Sequence, residues 1–441
     1  MNLLKCLALA AMLFTGNLLA QEGRIKFTAY DLDNGLHVIL HEDHSTPIVA
    51  VSVLYHVGSK NEDPQRTGFA HFFEHLLFEG TENIGRGEYM KIVKEAGGQL
   101  NANTSFDRTF YYEVLPSNQL ELGLWLESER MLHAKIDSIG VETQRGVVKE
   151  EKKQRIDNTP YGTLLQEVYS HAYEVHPYQW VPIGSEQYID QATLTEFMEF
   201  YKTFYVPNNA TISIAGDIDI EETKKLVEKY FGDIPRGTHV IPRPEITEPA
   251  KTAEVRDTVF DNIQLPAVVM AYHTPAMGTE DYYAVSMLAT ILSQGGSSRL
   301  QKEVVDDQQK AAFVGAFPLP TEDPGLTFFL AVANLGVDPA DLEGSIEAEI
   351  EKLQKEKISE EEFQKMRNQV ETDFISENAK VAGIAENLAN YHVYYGDAAL
   401  INNELDRYMS VTREDLQAAA KQYFVKENRV VLYYLPKQNN Q

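Results

Sequence analysis

An internal repeat constrains the fold of this chain more than any other feature. The segment FMEFYKTFYVPNNATISIAGD at 197–217 resembles LQAAAKQYFVKENRVVLYYLP at 416–436, at an offset of 219. VLYHVG at 53–58 resembles MAYHTP at 270–275, at an offset of 217. Two matches in the same order and at nearly the same offset predict a duplicated unit.

The length of the chain agrees with a duplication. A chain of 441 residues is long for one hydrophobic core and suits two domains of about 200 residues each. The stretch IPRGTHVIPRPEITEPAK at 234–251 is rich in proline and polar residues, as linkers are. We therefore expect an N-terminal domain at 21–238, a linker at 239–252 and a C-terminal domain at 253–441.

Strand and helix patterns are mixed along the chain. Alternating apolar residues predict strands at 37–43, 48–58 and 109–116, and helical spacing predicts helices at 68–79, 86–96, 118–133, 142–156 and 161–173. Gly97 and Gly98 separate the second of these helices from a further strand, QLNANTS. This arrangement favours an α+β fold of two similar domains, each with a mixed, mostly antiparallel sheet.

The first twenty residues differ from the rest. They carry one positive charge at Lys5, an apolar run from Leu7 to Phe14, and Ala20 as a candidate last residue before cleavage. These features are typical of a secretory signal peptide at 1–20. The only cysteine, Cys6, lies within it. A mature chain without cysteine favours a bacterial periplasm over a disulfide-rich extracellular space.

The composition excludes several classes of protein. Hydrophobic content of 43% and charged content of 24% are typical of a globular chain. The formal net charge of −27 argues against nucleic acid or an anionic membrane surface as a partner. No apolar run after the signal peptide is long enough to span a bilayer.

The segment GFAHFFEHLLFEGT at 68–81 places three polar side chains in an apolar run. On a helix His71 and His75 lie on one face, with Glu74 beside them, so two imidazoles can bind one metal ion. The spacing H-x-x-E-H is the reverse of the zinc motif H-E-x-x-H. The alternative interpretation is a pair of hydrogen-bonded core histidines.

Two histidines leave a zinc site incomplete, because catalytic zinc takes three protein ligands. The predicted helix VETQRGVVKEEKKQ offers Glu142, Glu150 and Glu151, although taken alone it resembles a solvated charged helix. Other histidines are weaker candidates, since their settings suggest structural or exposed roles: His41, His44, His171 and His176.

The order of these motifs resembles a known family. H-x-x-E-H in a helix, then GGQLNANTSFDRTFYYEVLP, then RGVVKEE, is similar to the pitrilysin or insulinase family of zinc peptidases. HPYQWVPIG at 176–184 and NNATISIAGDID at 208–219 extend the resemblance over nearly the whole mature chain. The resemblance implies a clam-like pair of similar α+β domains and the hydrolysis of peptides or unfolded polypeptides.

The resemblance also implies site residues. It gives zinc ligands His71, His75 and Glu151, and a general base, Glu74. Glu150 is the alternative third ligand if the helix register shifts by one residue. Gln144 stands where the family usually has a glutamate, so a carboxylate that tunes the metal ligands is missing. The strand at Asn101, Ala102 and Asn103 would pair with the substrate backbone, and the alternative is an ordinary edge strand.

The second half of the chain lacks this site. Moving His71 and His75 forward by an offset of 217 gives Leu288 and Leu292, within the helical pattern YYAVSMLATILSQ. We therefore expect the helix without its ligands, and one Zn²⁺ per chain.

A second part of the family's catalytic apparatus is also missing. Active members use an arginine and a tyrosine, seven residues apart, shortly after a stretch like GGSSRL at 295–300. Here Val305 stands at the arginine position and Ala312 or Phe313 at the tyrosine position, while Arg299 belongs to the preceding turn. The resemblance thus implies a homologous partner subunit without H-x-x-E-H, as in the mitochondrial processing peptidase. The alternatives are a zinc-binding scaffold subunit without peptidase activity and a narrow-specificity processing peptidase.

Overall fold

The computed structural model describes residues 24–437, so the predicted signal peptide lies outside the described residues. The strands are β1 Thr28–Asp31, β2 His37–Glu42, β3 Ile48–Tyr55, β4 Gln99–Thr104, β5 Thr109–Pro116, β6 Ala210–Gly216, β7 Val255–Asp261, β8 Ala267–Thr274, β9 Ala311–Leu319, β10 Gly325–Ala333 and β11 Arg429–Pro436. The α-helices are α1 Phe69–Leu76, α2 Tyr89–Glu95, α3 Leu120–His133, α4 Ser138–Lys152, α5 Leu164–Ala172, α6 Glu186–Gln191, α7 Leu194–Phe204, α8 Ile220–Phe231, α9 Glu280–Ser293, α10 Pro339–Lys355, α11 Glu360–Glu377, α12 Val381–Tyr395, α13 Glu404–Ser410 and α14 Arg413–Tyr423.

Each half of the chain builds one sheet, and the two sheets share one strand order. The first sheet runs β1-β2-β6-β3-β5-β4 and the second runs β7-β11-β8-β10-β9. Apart from β1, each strand of the first sheet has a counterpart at the same place in the second. Each sheet has a single parallel pair, β2 with β6 and β7 with β11, and its other pairs are antiparallel. The predicted α+β fold of two similar, mostly antiparallel units is confirmed.

The two halves exchange helices. Helix α12, from the second half, packs on β3 and β6 of the first sheet, where Ile384, Ala385 and Leu388 lie against Ala50 and Ala215. Helix α5, from the first half, packs on β8 and β11 of the second sheet. The first residues of the two helices are related by the offset of the repeat. Because this exchange covers the second face of each sheet, central strands such as β3 are buried along nearly their whole length.

A buried lysine joins loops of the two halves. Lys60 is 5% exposed, and its Nζ lies 3.0 Å from Asp107, 2.5 Å from Glu322 and 3.0 Å from Asp323. His176 also contacts Asp323, with 3.2 Å between Nε2 and Oδ2. A buried ammonium is tolerated only when it is paired, so this cluster fixes the loop between β9 and β10 against the first half.

The histidine helix α1 is fixed at its start and along its apolar face. Gly68 precedes it with a φ of +99°, and the Glu62 carboxylate accepts hydrogen bonds from the backbone N–H groups of Gly68 and Ala70. Burial raises the pKa of Glu62 to about 8, against the effect of these two donors. Phe72 and Phe69 stack on Phe197 of α7. The apolar residues of the motif therefore form core.

The second helix of the site starts earlier than its sequence pattern indicates. Helix α4 begins at Ser138 instead of 142, because the Asp137 side chain accepts a hydrogen bond from Gly140 and caps it. It continues as a π-helical turn at Lys153–Asp157. Within residues 24–437, no helix combines the length and the apolar character needed to cross a bilayer.

Candidate metal centre

Helices α1 and α4 bring His71, His75 and Glu151 together. Nε2 of His75 lies 3.3 Å from Nε2 of His71 and 2.9 Å from Oε2 of Glu151. Nε2 of His71 lies 3.6 Å from the same oxygen. Among the described residues, these three are the only group of metal-binding side chains within mutual reach.

The spacing of these three atoms suits zinc. Ligand atoms about 2.0–2.1 Å from a tetrahedral ion stand about 3.3 Å from one another, close to the distances found here. Burial lowers the pKa of His71 to about 4, which keeps its imidazole in the neutral form that binds metals. The hydrogen bond with His75 lowers the pKa of Glu151, although burial acts in the opposite direction. The carboxylate is therefore ionised and available as a ligand.

Glu74 lies beside the cluster and is not part of it. Its Oε2 accepts a 2.7 Å hydrogen bond from the Thr104 hydroxyl at the end of β4. Burial raises the pKa of Glu74 above its ordinary value. A carboxylate that is held in place, partly desolvated and next to a metal site has the properties of a general base. No sequence pattern pointed to Thr104, whose role depends on how β4 crosses α1.

The register of α4 selects Glu151 over the other candidate ligands. Glu150 is exposed and accepts a hydrogen bond from Gln154. Glu142 is exposed and pairs with Arg145. Only Glu151 points between the two histidines.

Two polar contacts around the cluster were not predicted. Arg155 donates to Oε1 of Glu151 at 2.7 Å, which leaves Oε2 directed at the histidines. The four-residue spacing of this pair on a helix is a signal that could have revealed it. Gln144, which stands at the family's glutamate position, instead donates to Glu79 at 2.6 Å, and Arg86 pairs with the same carboxylate.

A cavity of about 660 Å³ opens next to the cluster. Glu74, His75, Glu151 and Arg155 border it on one side, and residues 98–102 border it on the other. Its apolar lining comes from Phe78, Met90, Val93 and Leu100. The cavity therefore joins the candidate metal site to strand β4.

Strand β4 is the edge of the first sheet and pairs only with β5 among the described strands. Asn101 and Asn103 are exposed on it, and Ala102 is buried. The Asn103 side chain accepts a hydrogen bond from Arg108. The backbone of these three residues lies at a free sheet edge, where an extended peptide could add as a strand.

Family models match both halves of the chain. The model described as Insulinase (Peptidase family M16) matches residues 37–181, and the one described as Peptidase M16 inactive domain matches residues 191–370. The chain is a member of the M16 peptidase family.

Known relatives agree with this assignment. A protein named zinc protease PqqE, from Helicobacter pylori (strain ATCC 700392 / 26695), is 33% identical over 95% of this M16 chain and 94% of its own length. A crystal structure of a protease from Helicobacter pylori matches with a TM-score of 0.90 and 32% identity, over 94% of this chain and 100% of that chain. These names support peptidase function and zinc as the metal.

A more distant structure shows the fold alone. The periplasmic protease PqqL from Escherichia coli matches with a TM-score of 0.76 and 21% identity, and the match covers 93% of this M16 chain and 47% of that chain.

The second half of the M16 chain has the counterpart of α1 without polar ligands. Leu288 and Leu292 are fully buried in α9, within the core of the second half. The model described as an inactive domain covers this region.

No arginine–tyrosine pair occupies the positions that the family resemblance indicates. Val305 lies in the π-helical segment Gln301–Asp307, and Ala312 and Phe313 lie on β9. Arg299 forms two hydrogen bonds of 2.7 Å with Glu362, so its guanidinium is already paired.

Proposed function

We propose that this chain is a zinc-dependent endopeptidase that hydrolyses peptides or unfolded polypeptides and binds one Zn²⁺. The observation that carries the proposal is the convergence of His71, His75 and Glu151 at zinc-ligand spacing, with a separate buried carboxylate, Glu74, beside them. Two hydrogen-bonded core histidines would need neither the third ligand nor the adjacent base.

The residues of the site have distinct roles in this proposal. Zinc held by His71, His75 and Glu151 would act as a Lewis acid and make water a better nucleophile. Glu74 would accept the proton of the attacking water and return it to the leaving amine. The Thr104 hydroxyl fixes one oxygen of Glu74 and leaves the other free for this transfer. The raised pKa makes the Glu74 carboxylate a stronger base than an ordinary glutamate.

Strand β4 and the adjacent cavity support the proposal that the substrate binds in an extended conformation. The free edge at Asn101, Ala102 and Asn103 would hydrogen-bond the substrate backbone, which favours unfolded chains over folded proteins. The apolar lining from Phe78, Met90, Val93 and Leu100 suits a large apolar side chain next to the cleaved bond.

A partner subunit completes the proposal. Val305, Ala312 and Phe313 offer neither the charge nor the hydroxyl of the family's arginine–tyrosine pair. The loss of such stabilisation costs roughly 3–4 kcal/mol in the transition state. We propose that a homologous M16 chain without H-x-x-E-H supplies the pair in a heterodimer, and that the complex works in the periplasm after export by residues 1–20.

The substitution Glu74→Gln tests the catalytic role. It should lower kcat for a fluorogenic unstructured peptide by about 10²- to 10⁴-fold and leave the zinc content at one per chain. Glu150→Gln is the matched control, because Glu150 is exposed one residue from a ligand, and it should retain activity. If Glu74→Gln binds zinc and cleaves at the normal rate, Glu74 is not the base. A zinc-loaded wild type that cleaves no peptide, alone or with its partner, would instead favour the scaffold alternative.

The partner proposal has its own measurement. The purified chain should cleave slowly alone and at full rate when the homologous subunit is added. Full activity of the chain alone would contradict the partner proposal without affecting the role of Glu74.

A further inference from the structure

Asn209, directly before β6, binds two backbone carbonyl groups through its side chain and accepts a hydrogen bond from an arginine. Nδ2 of Asn209 donates to the carbonyl oxygens of Phe204 at 2.8 Å and His56 at 3.3 Å. Arg243, from the segment between the two sheets, donates to the same His56 carbonyl at 2.8 Å and to Asn209 Oδ1 at 2.5 Å. The carbonyl and the amide oxygen together form a fork that binds a guanidinium.

The second half repeats this fork. Nδ2 of Asn428 donates to the carbonyl oxygens of Tyr423 at 2.9 Å and His273 at 2.8 Å. Asn428 and His273 are the counterparts of Asn209 and His56 in the two repeated segments of the sequence. Within residues 24–437, no side chain donates to Asn428 Oδ1, and none other than Asn428 donates to the His273 carbonyl. The acceptors are duplicated, and the arginine is not.

A cavity of about 650 Å³ lies at this second fork. His273 and Asn428 border it, together with residues 246–251, which follow Arg243 in the chain. Its apolar lining includes Ile246, Pro249, Pro275, Pro324 and Val425. The space is large enough for an arginine side chain, and its walls suit the methylene stem of one.

The charges around this cavity are mostly negative. Glu248, Asp323 and Glu427 line it, and the main cation is Lys251, whose side chain is 4% exposed. Lys251 Nζ forms an ion pair of 3.9 Å with Glu174 and donates no hydrogen bond within the described part of the chain. Because its ion pair with Glu174 is long, Lys251 retains donors that can reach a carboxylate inside the cavity.

We propose that this cavity binds a guanidinium group, as free arginine or as an arginine side chain of a peptide. The His273 carbonyl and Asn428 Oδ1 would accept its N–H groups, as their counterparts accept those of Arg243. The α-carboxylate of free arginine could pair with Lys251. An arginine residue within a peptide has no free α-carboxylate and could not form this pair. The site is separate from the metal centre and does not depend on peptidase activity.

Calorimetry on the full chain tests the proposal with L-arginine, N-acetyl-arginine amide and L-citrulline. Citrulline has the same shape as arginine and no charge, so it should bind at least about tenfold more weakly, as expected for losing charge-assisted hydrogen bonds. Ala250→Trp, at an exposed position lining the cavity, should abolish arginine binding without affecting the fold. Equal binding of arginine and citrulline, or no arginine binding at millimolar concentrations, would overturn the proposal.

Two further variants identify the source of the group and test the internal repeat. If free arginine is the ligand, Lys251→Met should weaken the binding of L-arginine and leave the binding of N-acetyl-arginine amide unchanged. If wild type and Lys251→Met each bind the two compounds equally well, the ligand is an arginine side chain of a peptide. Arg243→Ala should vacate the first fork and raise the number of bound arginines from one to two. A stoichiometry that stays at one in a folded Arg243→Ala protein would overturn the argument from duplication.

Discussion

The two halves of the molecule share a topology and differ in their chemistry. Both have the same strand order, and each contributes one helix that packs on the sheet of the other half. The second half also has a helix, α9, at the position that α1 occupies in the first. In the first half that helix presents His71 and His75 to Glu151 and a cavity. In the second half it presents Leu288 and Leu292 to the core.

The difference shows that the fold does not depend on the ligands. In the first half α1 faces an open cavity, and polar side chains remain partly hydrated there. In the second half the same positions are sealed, and leucine stabilises them by apolar burial. The proposed function of this M16 chain would therefore depend on a few side chains, on a fold that the second half builds without them.

The largest effect, on zinc content and activity, is expected when α1 is given the leucines of its counterpart in the second half. The double substitution His71→Leu and His75→Leu should reduce zinc content from one equivalent to none and abolish peptidase activity. The metal-free variant should remain folded, because leucine suits both helices. Elemental analysis and calorimetric unfolding measure the two outcomes. His171→Leu, which lies outside the cluster, is the control and should keep its zinc; zinc retained by the double variant would contradict the assignment.

The next effect concerns the contact between the halves. Met277 stands at the position of the second half that corresponds to Lys60, so Lys60→Met inserts the residue of the second half. It leaves Asp107, Glu322 and Asp323 without their shared cation, which should lower the free energy of unfolding by about 3–5 kcal/mol. Urea unfolding measures this change. Lys91→Met, at an exposed position, should have little effect, and equal stability of both variants would show that the cluster does not join the halves.

A smaller effect is expected at Arg155, which pairs with Glu151 and would act on a bound zinc ion through it. Arg155→Gln should weaken zinc affinity by about 10- to 100-fold, as measured by competition with a chromogenic chelator. Arg155→Lys should restore part of the affinity, and Lys153→Gln, which removes an exposed charge in the same π-helical segment, should not change it. Unchanged affinity in Arg155→Gln would show that Glu151 needs no orienting partner.

The last expected effect is a pH dependence of the free energy of unfolding. Burial acts to raise the pKa of Glu322, but the hydrogen bond with His56 and the charge of Lys60 lower it from 4.5 to about 2. The pKa of Glu322 is lower in the folded than in the unfolded protein. Its contribution to the free energy of unfolding is therefore complete above pH 4.5 and is lost as the pH falls towards 2. Glu322→Gln should flatten this part of the stability curve relative to wild type. The same slope in both proteins would show that Glu322 does not contribute to this pH dependence.

Local patterns predicted much of the fold and part of the site. The histidines of α1 were recognisable because helical spacing alone brings residues 71, 74 and 75 together. The duplication was visible because both halves retain similar segments around Asn209 and Asn428. Strand β3 was predicted from the alternating pattern of the segment 48–58.

Contacts between distant segments were not predictable in this way. The exchange of α5 and α12 depends on how two sheets pack, and neither helix carries a sign of which sheet it covers. The choice of Glu151 over Glu150 came from a family resemblance, since the sequence of α4 does not fix its rotation against α1. Thr104 was missed because its partner, Glu74, lies on a different element, far away in the chain. The earlier start of α4 was missed because Asp137 was not identified as a cap.

The most direct test of the central claim is anomalous diffraction at the zinc edge from crystals of the full chain. We predict one peak per chain, about 2.0–2.2 Å from Nε2 of His71, Nε2 of His75 and Oε2 of Glu151. No peak is expected beside Leu288 and Leu292. A chain loaded with zinc that shows no peak at the three ligands, or a peak in the second half, would contradict the account.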